Sequence, residues 1–183
     1  MGTLLESIDS PGVAEQALAA VASGGLVLAG LPVIRANEVF GYFSRLGIDP
    51  NDLSRRLSLV VAESLLRKVC KHCAVIDDSE DLRNVLAGAA NTWLAAEEVR
   101  GRMARAGGCR LCRGSGYDGV ALAYEVLEID TAARALVEEG LTGMEMERRL
   151  LCDGKGLWDQ GLRLLARGLT SLEALRYGLR EPR

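Results

Sequence analysis

The chain has 183 residues, 49 % hydrophobic and 26 % charged, enough for one sizeable domain or a core with one small module attached. Its formal net charge of −3 mixes both signs throughout, so no global basic field calls for nucleic acid or an anionic membrane. No apolar run approaches the ~18 residues of a membrane span, and the N-terminus lacks the basic and apolar regions of a secretory leader, which points to a cytoplasmic protein.

Val13 to Ala22 has helical spacing, with Ser10-Pro11 as cap and first-turn proline and Ser23-Gly24-Gly25 as the stop. Leu26 to Leu31 is a short continuous apolar run, the form of a buried parallel strand. Ala36 to Leu46 is predicted helical and ends at Gly47. Leu53 to Val69 is predicted as a further helix, with Leu53, Leu57, Val60, Val61, Ser64 and Leu65 along one face. This order predicts an α/β fold built on a fragment of an open sheet. Asp81 to Ala106 has helical composition, followed by the turn-rich "RGSGYDG" and by Val120 to Ile129, which reads as a strand. The remainder reads as three or four short helices punctuated by Gly140, Gly143, Asp153 to Gly156, and Gly168, with Pro182 and the terminal arginine expected to fray.

Four of the five cysteines form two Cys-x-x-Cys pairs, Cys70 with Cys73 in "VCKHC" and Cys109 with Cys112 in "GCRLCRGSG". Two residues between ligands make a hairpin that turns both sulfurs toward one ion about 2.3 Å away, and two such hairpins close a tetrahedral shell. A closed shell has no position for water or substrate. The predicted cofactor is therefore a structural Zn(2+) held by Cys70, Cys73, Cys109 and Cys112. Arg67, Lys68, Lys71, Arg110 and Arg113 flank the pairs and would offset the negative charge of a tetrathiolate centre. The alternatives are incidental buried thiols and a redox centre, although no thioredoxin-type strand–helix setting surrounds either pair.

His72, the single histidine, reads as a solvent-facing bystander inside the first hairpin, and Cys152 as a small buried apolar residue. Trp93 and Trp158 read as core or interface anchors, and Tyr117 as packing over the cysteine module. Arg55-Arg56 and Arg148-Arg149 read as solvated helix faces. The acidic pairs Glu97-Glu98 and Glu138-Glu139 have no nucleophile or histidine near them in sequence.

Arg67-Lys68-Val69-Cys70 with Cys73 is followed by an insertion. Cys109, Cys112, Ser115-Gly116-Tyr117, Gly119 and Tyr124-Glu125 come next, then the tail "DQGLRLLARGLTSLEAL" from Asp159 to Leu175. This order resembles the C-terminal part of the GspE/PilB-type secretion ATPases, the motors of type II secretion and type IV pilus assembly. Upstream, "AEQALAAVASGGLVLAGL" from Ala14 is similar to the same family, and the resemblance runs from about Ile8 to Arg180. It implies a truncated RecA-like (P-loop NTPase-type) sheet segment over 1–69 and a four-cysteine zinc-binding module with a helical insertion over 70–112. A mostly helical C-terminal region then covers 113–183.

The family's catalytic glutamate falls on Ser7 and its arginine on Asp9; a slip of one or two residues would put Glu6 at the glutamate position without restoring the glutamate–arginine pair. The segment whose histidine approaches the nucleotide falls on Ala29 to Ile34, and the arginine after Gly119 is Val120. No phosphate loop of the G-x-x-x-x-G-K-[ST] form lies in these residues. The resemblance therefore implies a shortened, degenerate relative with no catalytic or nucleotide-binding residue here. Its expected role is a non-catalytic scaffold or regulatory subunit, cytoplasmic and at the periphery of the inner membrane. Its expected partners are secretion or pilus assembly proteins, a full-length ATPase among them, in a homo- or hetero-oligomer. It would bind no nucleic acid and would meet the membrane only through those partners.

Two alternatives stand beside this reading. One is an ATPase whose nucleotide site another chain completes. The other is a zinc-ribbon binder of nucleic acid or client proteins. "CRLCRGSG" matches the C-x-x-C-x-G-x-G of the J-protein zinc domain, but "CKHCAVID" lacks the glycines and aromatic residues are only 4 %.

Overall fold

The computed structural model describes residues 2–90, 100–141, 143–151 and 154–179. It is a mixed α/β structure in two compact units, Met1–Ala62 with Val126–Cys152 and Glu63–Glu125 with Asp153–Arg183.

In the first unit, β1 (Gly2–Leu5) pairs in parallel with β2 (Leu26–Ala29), Gly2 opposite Leu26 and Leu5 opposite Ala29. Parallel neighbours need a crossover, and α1 (Pro11–Ala22) supplies it, with extended Ser10 at the cap and proline in the first turn. The parallel strand expected from Leu26 is present, but it is not buried. Leu4, Leu26 and Leu28 are 80 %, 64 % and 58 % exposed, while Leu5 and Val27 pack against the core. Successive side chains of a strand point to opposite faces, and here the core covers one of them.

A 3-10 turn (Ala36–Glu38), α2 (Val39–Arg45) and α3 (Pro50–Arg56) follow. Asp49 caps α3, its Oδ1 accepting the N–H groups of Asn51 and Asp52 at 2.9 and 3.1 Å. After the return of the chain, α5 (Thr131–Glu138) and α6 (Met144–Leu150) close this core, in which Val39, Phe40, Leu53, Leu127 and Met146 are buried. The Arg35 guanidinium pairs with Glu147 at 2.9 Å, and the Asn37 amide donates to the same carboxylate.

The helix expected over Leu53 to Val69 stops at Arg56. Leu59–Val69 is instead a strand, β3, with Val60, Ala62 and Leu66 buried and Leu59, Val61 and Leu65 exposed. Helical spacing and strand alternation both fit this leucine- and valine-rich run. A long-range partner decides between them. That partner is β6 (Tyr117–Glu128), which includes most of the strand expected over Val120 to Ile129. Ile129 N–H donates to Ser58 O and Cys70 N–H to Gly116 O, each at 2.9 Å, so the pair is antiparallel. The chain passes between the two units inside β3 and returns inside β6.

In the second unit, β4 (Val75–Ile76) pairs antiparallel with β5 (Arg102–Met103), and α4 (Glu80–Ala90) lies between them in sequence. The long helix expected from Asp81 is thus replaced by extended chain at 102–103. The rest of that expectation, with Trp93, Glu97 and Glu98, lies outside the described residues, as do Cys152 and Pro182. α7 (Leu157–Ala166) and α8 (Leu172–Gly178) complete the helices expected after β6. Leu66, Leu82, Trp158, Leu162, Leu165 and Leu175 form the core, so Trp158 is the anchor expected of it. Gly161 allows close packing there: a Cβ at that position would lie 2.3 Å from Leu175 Cδ1 and 2.8 Å from Leu179 Cδ1.

Glu125 is 1 % exposed, and its Oε2 accepts the N–H of Leu157 at 2.7 Å. A carboxylate at the start of α7 satisfies an orphan donor and complements the helix dipole. Glu125→Ala is expected to destabilise the protein by about 2 kcal/mol in chemical denaturation. Glu125→Gln, which retains an acceptor oxygen, should lose less.

Candidate metal centre

Cys70 directly follows β3, where its N–H is held by Gly116 O. The first hairpin closes as Cys73 N–H and Ala74 N–H donate to Cys70 O at 3.2 and 2.8 Å. The second closes as Gly114 N–H donates to Cys109 O at 3.0 Å and Ser115 N–H to Cys112 O at 3.1 Å. Gly108 has φ +52°, and a Cβ there would meet Gly114 C at 2.5 Å and Cys112 Sγ at 2.7 Å. The backbone therefore approaches the sulfur more closely than any side chain permits.

These turns bring together the four cysteines that the sequence singles out. Their sulfurs lie within 4.8 Å of one another. Cys70–Cys109 is 3.9 Å, and Cys73–Cys112 and Cys109–Cys112 are each 3.8 Å. Disulfides would need about 2.05 Å. A tetrahedron with metal–sulfur bonds of about 2.3 Å has edges of about 3.8 Å, so this set fits a tetrahedral metal ion. Cys70, Cys73 and Cys112 are buried and Cys109 is half-buried.

The four thiols are not equivalent. The N–H groups of Cys109 and Gly116 donate to Cys112 Sγ at 3.1 and 3.3 Å and, against burial, hold its thiol down at about 6. Burial pushes the Cys73 thiol up to about 12, with the neighbouring thiols adding to the shift.

His72 is exposed and stands outside the cluster. Tyr117, in the turn after the second hairpin, engages the segment before the first hairpin and α8. Its ring lies 4.1 Å from the Arg67 guanidinium carbon, and its hydroxyl meets Ser171 Oγ at 2.9 Å and donates to Glu173 Oε2 at 3.2 Å. Thr170 Oγ1 donates to Arg67 O at 2.8 Å, and Val69 N–H to Leu169 O at 3.1 Å. Residues 169–173 thus fasten the segment that enters the first hairpin and the one that leaves the second. Sequence reasoning matched the "GLTS" tail by resemblance and missed this task. The signal was two adjacent hydroxyl residues, Thr170 and Ser171, at the start of α8.

At the other end of the sequence, Ser7 and Asp9 are exposed just beyond the carboxyl end of β1. Gly30 N–H donates to Leu5 O at 3.3 Å and Ile8 N–H to Gly30 O at 3.1 Å, which brings the two strand exits together. Carboxyl ends of parallel strands are where open α/β sheets bind ligands. Here those exits carry Glu6, Ser7 and Asp9 after β1 and Gly30, Leu31 and Pro32 after β2.

Residues 7–177 match the family described as type II/IV secretion system protein. The chain is 31 % identical over 164 residues to the type IV pilus assembly ATPase PilB of Thermus thermophilus, covering 87 % of this chain and 18 % of that protein. It is 31 % identical over 171 residues to the type II secretion system protein E of Pseudomonas aeruginosa, covering 92 % and 32 %. In fold it is similar to the X-ray structure of the Legionella pneumophila ATPase DotB, with a TM-score of 0.58 at 13 % identity, over 96 % of this chain and 37 % of that one. The chain therefore spans 18 % and 32 % of the length of the two sequence relatives. With its match running from residue 7 to residue 177, this chain belongs to the type II/IV secretion system protein family.

Proposed function

We propose that Cys70, Cys73, Cys109 and Cys112 hold a structural zinc ion. We further propose that these residues form a non-catalytic part, a scaffold or regulatory element, of a type II secretion or type IV pilus assembly apparatus in the cytoplasm. The observation that carries this reading is a contrast between two places in the chain. Three sulfur–sulfur distances of the thiol tetrad match the edges of a tetrahedral site, whereas the family's glutamate, arginine and histidine segments fall here on Ser7, Asp9 and Ala29 to Ile34. Partners among secretion or pilus components are supported by relatives named for those assemblies.

Zinc would join the two hairpins by four bonds, a contribution on the order of 10–16 kcal/mol in small zinc peptides. Cys112, with two N–H donors, offers a thiolate near neutral pH, while burial holds the proton on Cys73. All four ligands must be deprotonated to bind, so protons leave as metal enters and affinity falls as pH falls.

Elemental analysis should find one zinc per chain, reduced to background by Cys70→Ser with Cys112→Ser. Gly108→Ala should weaken zinc binding by at least about tenfold, because the added methyl displaces Cys112 Sγ. Zinc affinity, measured by chelator competition, should drop at least about tenfold per pH unit below neutrality, the share of Cys73 alone. A pH-independent affinity would contradict the tetrathiolate assignment. Calorimetric titration with Mg·ATP should show no heat of binding, and removal of the thiols in cells should impair secretion or piliation. Tight nucleotide binding, alone or with a candidate partner ATPase, would restore the reading in which another chain completes the site.

A further inference from the structure

The net charge of −3 conceals a local asymmetry. Segments 67–76 and 100–117 carry eight lysines and arginines and not one aspartate or glutamate. Both belong to the second unit, joined by the thiol cluster and by the β4–β5 pair. Arg67 is engaged with Glu173 and Tyr117. Lys71, Arg105, Arg110 and Arg113, by contrast, are exposed and have no carboxylate partner among the described residues. Lys71 and Arg110 sit between the cysteines of their hairpins and Arg113 directly follows Cys112, so the sulfur cluster brings these cation-bearing turns together. A tetrathiolate zinc centre would cancel about two of them and leave the surface basic.

Beside Arg110 stands Leu111, 65 % exposed at the turn of the second hairpin. A hairpin tip with an aliphatic side chain inside a basic collar matches the two attractions of an anionic lipid surface, headgroup charge and a shallow apolar layer. Single-stranded nucleic acid would ask for aromatic stacking platforms instead. The nearby Tyr117 is already occupied by Arg67, Ser171 and Glu173. No helix among the described residues is long and apolar enough to cross a membrane, so such an attachment is peripheral.

We propose that the two-hairpin tip formed by Lys71, Arg105, Arg110, Leu111 and Arg113 docks directly on anionic phospholipid headgroups. This stands independently of the secretion reading and does not require the metal to be zinc. The test is flotation of the full chain with phosphatidylcholine vesicles, with and without phosphatidylglycerol, across a salt series.

The wild type should float only with the anionic vesicles and be released by salt. Arg110→Glu with Arg113→Glu should lower partitioning by at least about tenfold, and Lys71→Glu with Arg105→Glu should do the same from outside the second hairpin, at about fivefold per cation. Leu111→Ser should weaken binding severalfold at every salt concentration while leaving the circular dichroism spectrum and metal content unchanged. Failure of the wild type to float, or flotation of the charge variants undiminished from the wild type, overturns the proposal. Retention on polyglutamate at the same salt concentration, with no effect of Leu111→Ser on flotation, would assign the surface to an acidic polypeptide instead.

Discussion

Four sulfur atoms within 4.8 Å of one another impose a constraint that the surrounding chain must answer. As thiolates they repel, so they stay together only by keeping protons or by sharing a cation. Backbone donors favour the thiolate of Cys112 and burial favours the protonated thiol of Cys73, so charged and neutral sulfur can coexist in one cluster. Much of the second unit serves to hold that cluster. β3 delivers Cys70, Gly116 fixes its amide, Gly108 lets the backbone close on Cys112, and residues 169–173 tie down Arg67, Val69 and Tyr117. A metal at this point would lock together elements that are already hydrogen-bonded. It would not have to organise a loose loop.

The parallel β1–β2 pair and its crossover helix are present, and the two strand exits are joined by backbone hydrogen bonds. Folding requires apolar side chains facing the core and satisfied amides, and both remain. The side chains at the exits of those strands, Glu6, Ser7, Asp9 and Pro32, are exposed and lie outside that requirement. Glu125 illustrates the distinction from the other side. It is a buried carboxylate whose contact with Leu157 N–H is structural, closing the start of α7.

Charge distribution adds a second layer. A mixed net charge of −3 describes solubility, whereas screening confines electrostatic recognition to about 10 Å. On that scale the hairpins are strongly basic. Flanking cations that offset a tetrathiolate centre can at the same time leave an outward positive field, because they outnumber the charge they neutralise.

Information local to the chain made much of this molecule legible. Proline and glycine bound α1 at the expected places, Cys-x-x-Cys spacing picked out the four thiols, and glycines marked the breaks among the last helices. Such signals depend on backbone geometry within a few residues, and no distant partner alters them. Residues 59–69 and 102–103 went the other way, from expected helix to strand: leucine and valine at the spacings of the first run suit either form, and β6 and β4 supply the deciding pairing partners. Tertiary contact alone likewise determined that Leu26 and Leu28 face outward, that Tyr117 binds α8, and that Glu125 meets α7. Each of these outcomes joins residues far apart in the chain or depends on which face the core covers. Composition and periodicity carry no record of either until the chain has folded.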